Sequence, residues 1–442
     1  MEKEMMMMMR SLLLAVGFAT MAPAIAQVQA PVPQDQLEAA AKGYAKDNQV
    51  DEKEAGRRLQ LKQLARPEIE VFESQYADRL DTSYWDDRRD GFKLILRLKR
   101  GPLPAIKQVT TAHGAIPVEF SLVSGKTLDE ISAILTAQDG RLRELVPGMQ
   151  GTGIDEVHSA IVLYVLAPSD DRSAYEAETD SLSRELGAPV TFKFLRGPVE
   201  STPPEEAADA PSSGPARSGD AGAAAEPLAP YVQGGPPLLN LENEHQCTGG
   251  FIVRNKDNTK WGILTAAHCG KKLMYGNWSD AGSGQQVTAK LTHEAQLFDA
   301  THDLAWHSFP VVGYRPLGEI FARDTCAQCG VVILSTAAPK AGDRVCHRGL
   351  QTGWSCGVVS GTTYSFGKND CNGKVCDPRA YKVAVGEELA CFGGDSGGPV
   401  HYGNTAFGIV KSAAYAGVEP GKCDALVFSP IGKIVDLGLR LY

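Results

Sequence analysis

The sequence predicts two folded regions of different class: an α+β region over residues 27–197 and an all-β barrel region over residues 232–442. Three observations predict this. From residue 232 onward, short runs rich in Val, Ile, Thr and aromatics alternate with Gly, Asn, Asp and Pro turns, the pattern of barrel strands. Before it, helix-like and strand-like segments alternate. All ten cysteines lie at or beyond Cys247, so only one region is built to be cross-linked. With 442 residues and 43% apolar composition, the chain has room for two or three domains with real cores.

Taken in order, residues 1–26 read as an export signal. Lys3 and Arg10 give a positive start, Ser11 to Ile25 is apolar, and Ala24-Ile25-Ala26 fits a small-residue cleavage pattern. Glu2, Glu4 and the methionine run are unusual there. No Cys follows the cleavage pattern to carry a lipid, and no later stretch of about 20 apolar residues offers a membrane anchor. A secreted or periplasmic protein is expected.

In the α+β region, Gln36 to Leu64 has helical composition, with Pro67 marking its end. Phe92–Leu98 and Val118–Leu122 read as strands. Thr127-Leu128-Asp129-Glu130 is a capping box opening a helix over Ile131 and Leu135. Ala160–Leu166, a helix near Asp170–Leu186 and Val190–Leu195 form a strand–helix–strand unit. Residues 198–231 read as a linker, because their Pro, Ala, Ser, Gly and Glu cannot pack a core and are readily cut. Ile431–Leu441 is expected to close the chain as a helix.

Charge is uneven along the chain. From residue 231 there are 19 Lys+Arg against 18 Asp+Glu, leaving 25 against 35 before it. The barrel region is therefore nearly neutral, which argues against a nucleic-acid partner.

Two segments carry the chemistry. Thr265-Ala266-Ala267-His268-Cys269 and Gly394-Asp395-Ser396-Gly397-Gly398-Pro399 pair a histidine with a distant serine among glycines. Serine is a poor nucleophile at neutral pH and needs a base, which in turn needs a third group to hold it. Asp303 in Thr301-His302-Asp303-Leu304-Ala305 supplies that group, with Asp299 nearby as the alternative. His293, His302 and His307 are taken as bystanders. Glycines beside Ser396 let the N–H groups of Gly394 and Ser396 turn toward one point, as an oxyanion hole requires. No cofactor is called for.

These segments resemble those of secreted bacterial serine endopeptidases of the chymotrypsin superfamily, such as α-lytic protease and the streptogrisins. Val345-Cys346-His347-Arg348-Gly349, Thr352-Gly353-Trp354-Ser355-Cys356-Gly357 and Val427-Phe428-Ser429-Pro430-Ile431 add to the likeness, which spans most of residues 232–442. The resemblance implies a chymotrypsin-like double β-barrel and the chain order His268, Asp303, Ser396. It implies a protein or peptide substrate and the disulfides Cys247–Cys269, Cys346–Cys356 and Cys391–Cys423. Cys326, Cys329, Cys371 and Cys376 lie outside its pattern; two local bridges, Cys326–Cys329 and Cys371–Cys376, or a four-thiolate zinc site are the alternatives.

Val50 to Leu59 and Gly151 to His158 resemble the α-lytic protease pro region, which implies that residues 27–197 assist folding of their own catalytic domain, against the plainer reading of an unrelated accessory domain. Val232-Gln233-Gly234-Gly235 resembles the start of mature enzymes, so cleavage is expected within 198–231, near Tyr231. Asp395 is expected to fix the oxyanion loop through a buried basic partner, His347 or Arg348. Ala390 stands six residues before Ser396, so the acid that selects Lys or Arg is absent there, and an apolar or aromatic P1 side chain is expected. Relatives usually have Ser where Lys411 falls; either one residue is inserted or a Lys points near the pocket, and a solvent-facing Lys is expected. A protease-fold binding protein without turnover is the competing function, and a non-proteolytic esterase a third.

Overall fold

The computed structural model describes residues 32, 34–166, 172–200, 230–277, 287–310, 313–321, 330–415 and 421–442. The expected export signal, the linker beyond Glu200 as far as residue 229, and Cys326 and Cys329 lie outside the described residues.

The N-terminal region opens with three helices, Gln34–Asn48, Glu52–Leu64 and Arg66–Gln75. The single helical segment expected up to Pro67 is thus broken. Gln49 takes a left-handed φ of 54°, and the Asp51 side chain caps the second helix by accepting from the Glu54 N–H at 2.8 Å. Pro67 sits in the first turn of the third helix, where its missing N–H is one that a helix leaves unpaired anyway. The second and third helices cover a four-stranded sheet of Leu80–Asp86, Lys93–Leu98, Gly114–Leu122 and Lys107–Thr111, in that order. Leu61, Ala65 and Ile69 close onto Leu94, Leu96 and Val118 as one buried cluster.

A second unit follows. Thr127 and Glu130 form the capping box of helix Leu128–Leu145. Strands Met149–Asp155 and Ala160–Leu166 make a hairpin, and helix Arg172–Leu186 crosses over to place Val190–Leu195 parallel to the second strand. Both helices bury Leu135, Leu142, Leu182 and Leu186 against this sheet.

Neither unit stands apart from the C-terminal region. Asp155 pairs with Thr362, so the hairpin sheet continues into the barrel strand Gly353–Tyr364. Ala40, Ala41 and Tyr44 of the first helix share a core with Val345, Val400 and Phe428.

The C-terminal region is all-β, as expected. Six antiparallel strands close on themselves in the order Arg344–Gly349, Pro399–Tyr402, Thr405–Tyr415, Gly421–Pro430, Tyr381–Val385 and Gly353–Tyr364, which returns to the first. The half before it contains a four-stranded, a five-stranded and a three-stranded sheet, with Leu238, Ile252, Ile263 and Tyr275 in its core. The closing helix expected over Ile431–Leu441 is shorter. A 3₁₀ helix, Ile431–Leu437, ends where Gly438 takes a left-handed φ of 70°. Leu439–Leu441 then pairs as a strand with Ile252–Asn255 and ties the end of the chain to the first half. Four disulfides are formed among the described residues: Cys247–Cys269, Cys346–Cys356, Cys371–Cys376 and Cys391–Cys423.

Candidate active site

Strand Trp261–Thr265 ends in a 3₁₀ turn, Ala267–Cys269, which carries His268 and is pinned by the Cys247–Cys269 bond. Opposite it, Asp303 begins strand Asp303–Ser308 and is 1% exposed. The His268 backbone N–H donates to Asp303 Oδ1 at 3.0 Å, and His268 Nδ1 lies 2.6 Å from Oδ2. A carboxylate only accepts, so Nδ1 of the neutral ring carries the proton and Nε2 keeps its lone pair. Nε2 is buried and has no hydrogen-bond partner among the described residues. It is therefore available to take a proton.

Asp299 is used elsewhere. Its Oδ1 accepts from the Thr301 and His302 backbone N–H groups and lies 3.0 Å from His302 Nδ1, shaping the turn that delivers Asp303. Partial burial pushes the Asp299 carboxyl up, but hydrogen bonds from Thr301 and His302 outweigh this and bring it down to about 2. His302 also reaches Asp436, and His293 and His307 meet edge to face at 5.2 Å.

Ser396 sits in the tight loop before strand Pro399–Tyr402. Gly394 and Gly397 have φ of 103° and 84°. A Cβ on Gly397 would lie 2.1 Å from Thr265 Oγ1, so only glycine lets the loop close against the histidine-bearing strand. Thr248, next to Cys247, donates its N–H to Ser396 O and its hydroxyl to Gly394 O, each at 2.8 Å. Cys269 Sγ is 3.8 Å from Ser396 O. The serine loop and the histidine turn are thereby locked to one another.

Residues 232–436 match the family model described as Trypsin. They are a trypsin-family domain. Streptogrisin-C of Streptomyces griseus is 27% identical over 216 residues, covering 48% of this chain and 41% of that protein, so the match spans less than half the relative's length. Among solved structures, Thermobifida fusca protease A is 22% identical, covering 48% of this chain and 98% of that one, with a TM-score of 0.35. An α-lytic protease homologue, N4, is 19% identical with the same TM-score, covering 48% and 100%.

Within the trypsin-family domain, Asp395 is buried and its carboxylate accepts from the N–H groups of Phe392, Gln351 and Thr352 and from the Thr352 hydroxyl at 2.6 Å. Backbone amides from the 351–352 turn thus help to fix the carboxylate that braces the serine loop. His347 turns instead to the Ala390 carbonyl at 2.6 Å and the Ser355 hydroxyl at 2.9 Å. Burial pushes its imidazole down, so it stays neutral.

Lys411 does not face solvent. It is 1% exposed, and its Nζ lies 2.7 Å from Asp303 Oδ2. The register between Thr405–Tyr415 and Gly421–Pro430 shifts between Val410 and Ser412, so Lys411 is the extra residue of a bulge. A bulge re-aims its side chain, which is why this Lys points inward rather than to solvent. Burial alone would raise the Asp303 carboxyl. The charges of His268 and Lys411 outweigh it and hold the group well below the usual carboxylate range.

Two further contacts shape access. Val199–Glu200, at the end of the N-terminal region, pairs antiparallel with Ala414 and Ala413. Arg196 anchors it, its N–H donating to Asp424 at 2.6 Å. Beside this strand, Ala390–Cys391 pairs with Lys422 and Gly421, and the buried rings of Phe392 and Tyr415 meet at 4.8 Å. As for metals, Cys247 and Cys269 lie near His268 but are bonded to each other and offer no thiolate. Cys371 and Cys376 are likewise joined, which removes two ligands from the zinc alternative.

Proposed function

We propose that the chain is a secreted serine endopeptidase made as a zymogen, in which Ser396, His268 and Asp303 form the triad. The observation that carries it is the His268–Asp303 pair, which leaves a buried, unpartnered Nε2 in a turn locked to the Ser396 loop. Ser396 Oγ attacks the peptide carbonyl as His268 Nε2 takes its proton. The carbonyl carbon is then bonded to Oγ, and its oxygen carries the negative charge toward the N–H groups of Gly394 and Ser396. His268 returns the proton to the leaving amine, and water repeats the sequence to release the acid. Asp303 holds the tautomer and offsets the imidazolium charge.

Residues 27–197 act as the pro region, 198–231 as the linker that is cut, and 232–442 as the enzyme. The pairing of Val199–Glu200 with Ala413–Ala414 supports this, because it fills the strand edge along which a substrate backbone would lie. The test is the intact mass of secreted wild type and Ser396→Ala. Wild type is expected to yield a fragment beginning within 198–232, while the variant stays at full length. Equal cutting of both would assign maturation to another protease. Two folded, uncut products would favour the binding-protein alternative.

The P1 pocket accepts an apolar or aromatic side chain. Leu389, Phe392 and Tyr415 are buried beside the Cys391–Cys423 bond, and Lys411 is committed to Asp303 rather than to a substrate acid. In a panel of tetrapeptide anilides varying only at P1, Phe or Leu is expected to exceed Glu and Lys in kcat/KM by roughly tenfold or more, since an apolar lining leaves a charge unpaired. A preference for Glu would overturn this assignment.

A further inference from the structure

We propose that Lys411 is a positioning residue of the triad: its ammonium fixes and neutralises the Asp303 carboxylate, so that the domain turns over substrate at a lower pH than a triad with a hydroxyl at this position. The inference rests on the function proposed above.

Four features of the structure carry it. Lys411 Nζ and His268 Nδ1 share one oxygen, Asp303 Oδ2, at 2.7 and 2.6 Å, while the His268 backbone N–H takes Oδ1. Both charged partners are buried, at 1% and 0% side-chain exposure, so the contact is neither screened nor exchangeable with water. The strand spends an extra residue on the bulge that aims Lys411 inward. The cation is also enclosed, with its Nζ 5.5 Å from the Phe298 ring centre and 5.1 Å from that of Phe366, and 3.5 Å from the Asp370 carbonyl. Asp370 directly precedes the loop closed by Cys371–Cys376, and Asp377, directly after it, donates its N–H to the Ala300 carbonyl at 2.8 Å. A cross-linked loop thus lies against the Lys411 ammonium.

The chemical consequence follows from charge. With His268 neutral, the buried cluster of Asp303 and Lys411 is itself neutral. A proton on the imidazole then adds net charge beside a fixed cation, which disfavours the inactive, protonated base in acid. Other groups facing the cluster do not cancel this. Tyr381 is uncharged because burial pushes its phenol far up. Lys433, brought down by burial to about 8, lies over the Tyr381 ring and donates to the Ala380 carbonyl. Asp299 is held by Thr301 and His302, and Asp377 by the Arg379 N–H.

The experiment is the pH profile of kcat/KM for a P1-Phe anilide from pH 4 to 9, using enzyme matured from the secreted full chain as wild type, Lys411→Met and Lys411→Arg. Methionine keeps the length and removes the charge. Its acid limb is expected to move up by about one pH unit or more, a tenfold relative loss near pH 5. Arginine is expected to keep the wild-type limb while kcat falls. A Lys411→Met limb that does not move, even with uniformly lower rates, makes Lys411 a space-filling residue and overturns the proposal. If Lys411→Met does not mature, Lys411→Gln, which also removes the charge, takes its place in the same comparison, and a limb that does not move overturns the proposal. Wild type that neither hydrolyses peptides nor reacts with a fluorophosphonate removes the triad itself, a failure distinct from turnover with an unmoved limb.

Discussion

Replacement of His268 by Ala is expected to lower kcat/KM by about 10⁶-fold, with loss of fluorophosphonate labelling of Ser396. The effect is this large because Nε2 is the only proton acceptor that the His268–Asp303 pair presents, and an unassisted serine hydroxyl does not ionise near neutral pH. Glycines around Ser396 preserve the oxyanion geometry, so a small residual rate remains. Asp303→Asn is expected to cost about 10⁴-fold through the wrong imidazole tautomer. In this chain it carries an added penalty, since it strands the buried Lys411 ammonium without its counter-charge. Asp303→Asn should therefore lose thermal stability as well as rate, whereas His268→Ala should lose rate alone. Peptide-anilide kinetics with thermal scans separate the two. A His268→Ala enzyme within tenfold of wild type would sink the general-base assignment.

The contrast between Ser396 and Lys411 shows what the sequence could carry. Ser396 and His268 stand in long motifs whose glycines and cysteine have local meaning: a Cβ at Gly397 would meet Thr265 Oγ1 at 2.1 Å, and Cys269 forms a bond beside the histidine. Such constraints are written into adjacent residues and can be read there. Lys411 differs because its direction depends on the register between two strands, and a one-residue bulge reverses it. The all-β and α+β classes were legible for the same reason as the motifs, since period and turn chemistry are local. Pro67 was ambiguous because the residue that ends one helix can equally start the next. The hold of the 351–352 turn on Asp395 was not legible, since much of it comes from backbone amides, which every sequence has and none advertises. Least legible of all was the docking of the first helix onto the barrel, where Tyr44 shares a core with Phe428.

That docking supports a second large expectation, at Asp343. This residue is fully buried; its Oδ1 accepts from Arg66 Nη2 at 2.9 Å and from Trp85 Nε1 at 2.8 Å, and its Oδ2 from the Lys340 N–H. Arg66 and Trp85 come from the N-terminal region, 277 and 258 residues away in sequence, and the Arg66 guanidinium lies 4.4 Å over the Phe407 ring. In a Ser396→Ala background, Asp343→Ala is expected to destabilise the folded chain by about 3–5 kcal/mol, because it leaves a buried guanidinium unpaired. Arg66→Met with Asp343→Leu is expected to recover most of that loss, since a buried ion pair replaced by apolar groups of similar volume is often neutral. Urea titration followed by tryptophan fluorescence reads both, with Trp85 reporting from the interface itself. A single Asp343→Ala loss below about 1 kcal/mol would mean the guanidinium finds water or another acceptor, and the joint is then not held by this pair. Recovery in the double variant would instead show that the charges select how the two regions meet, while apolar contacts such as Tyr44 with the barrel core supply the attraction.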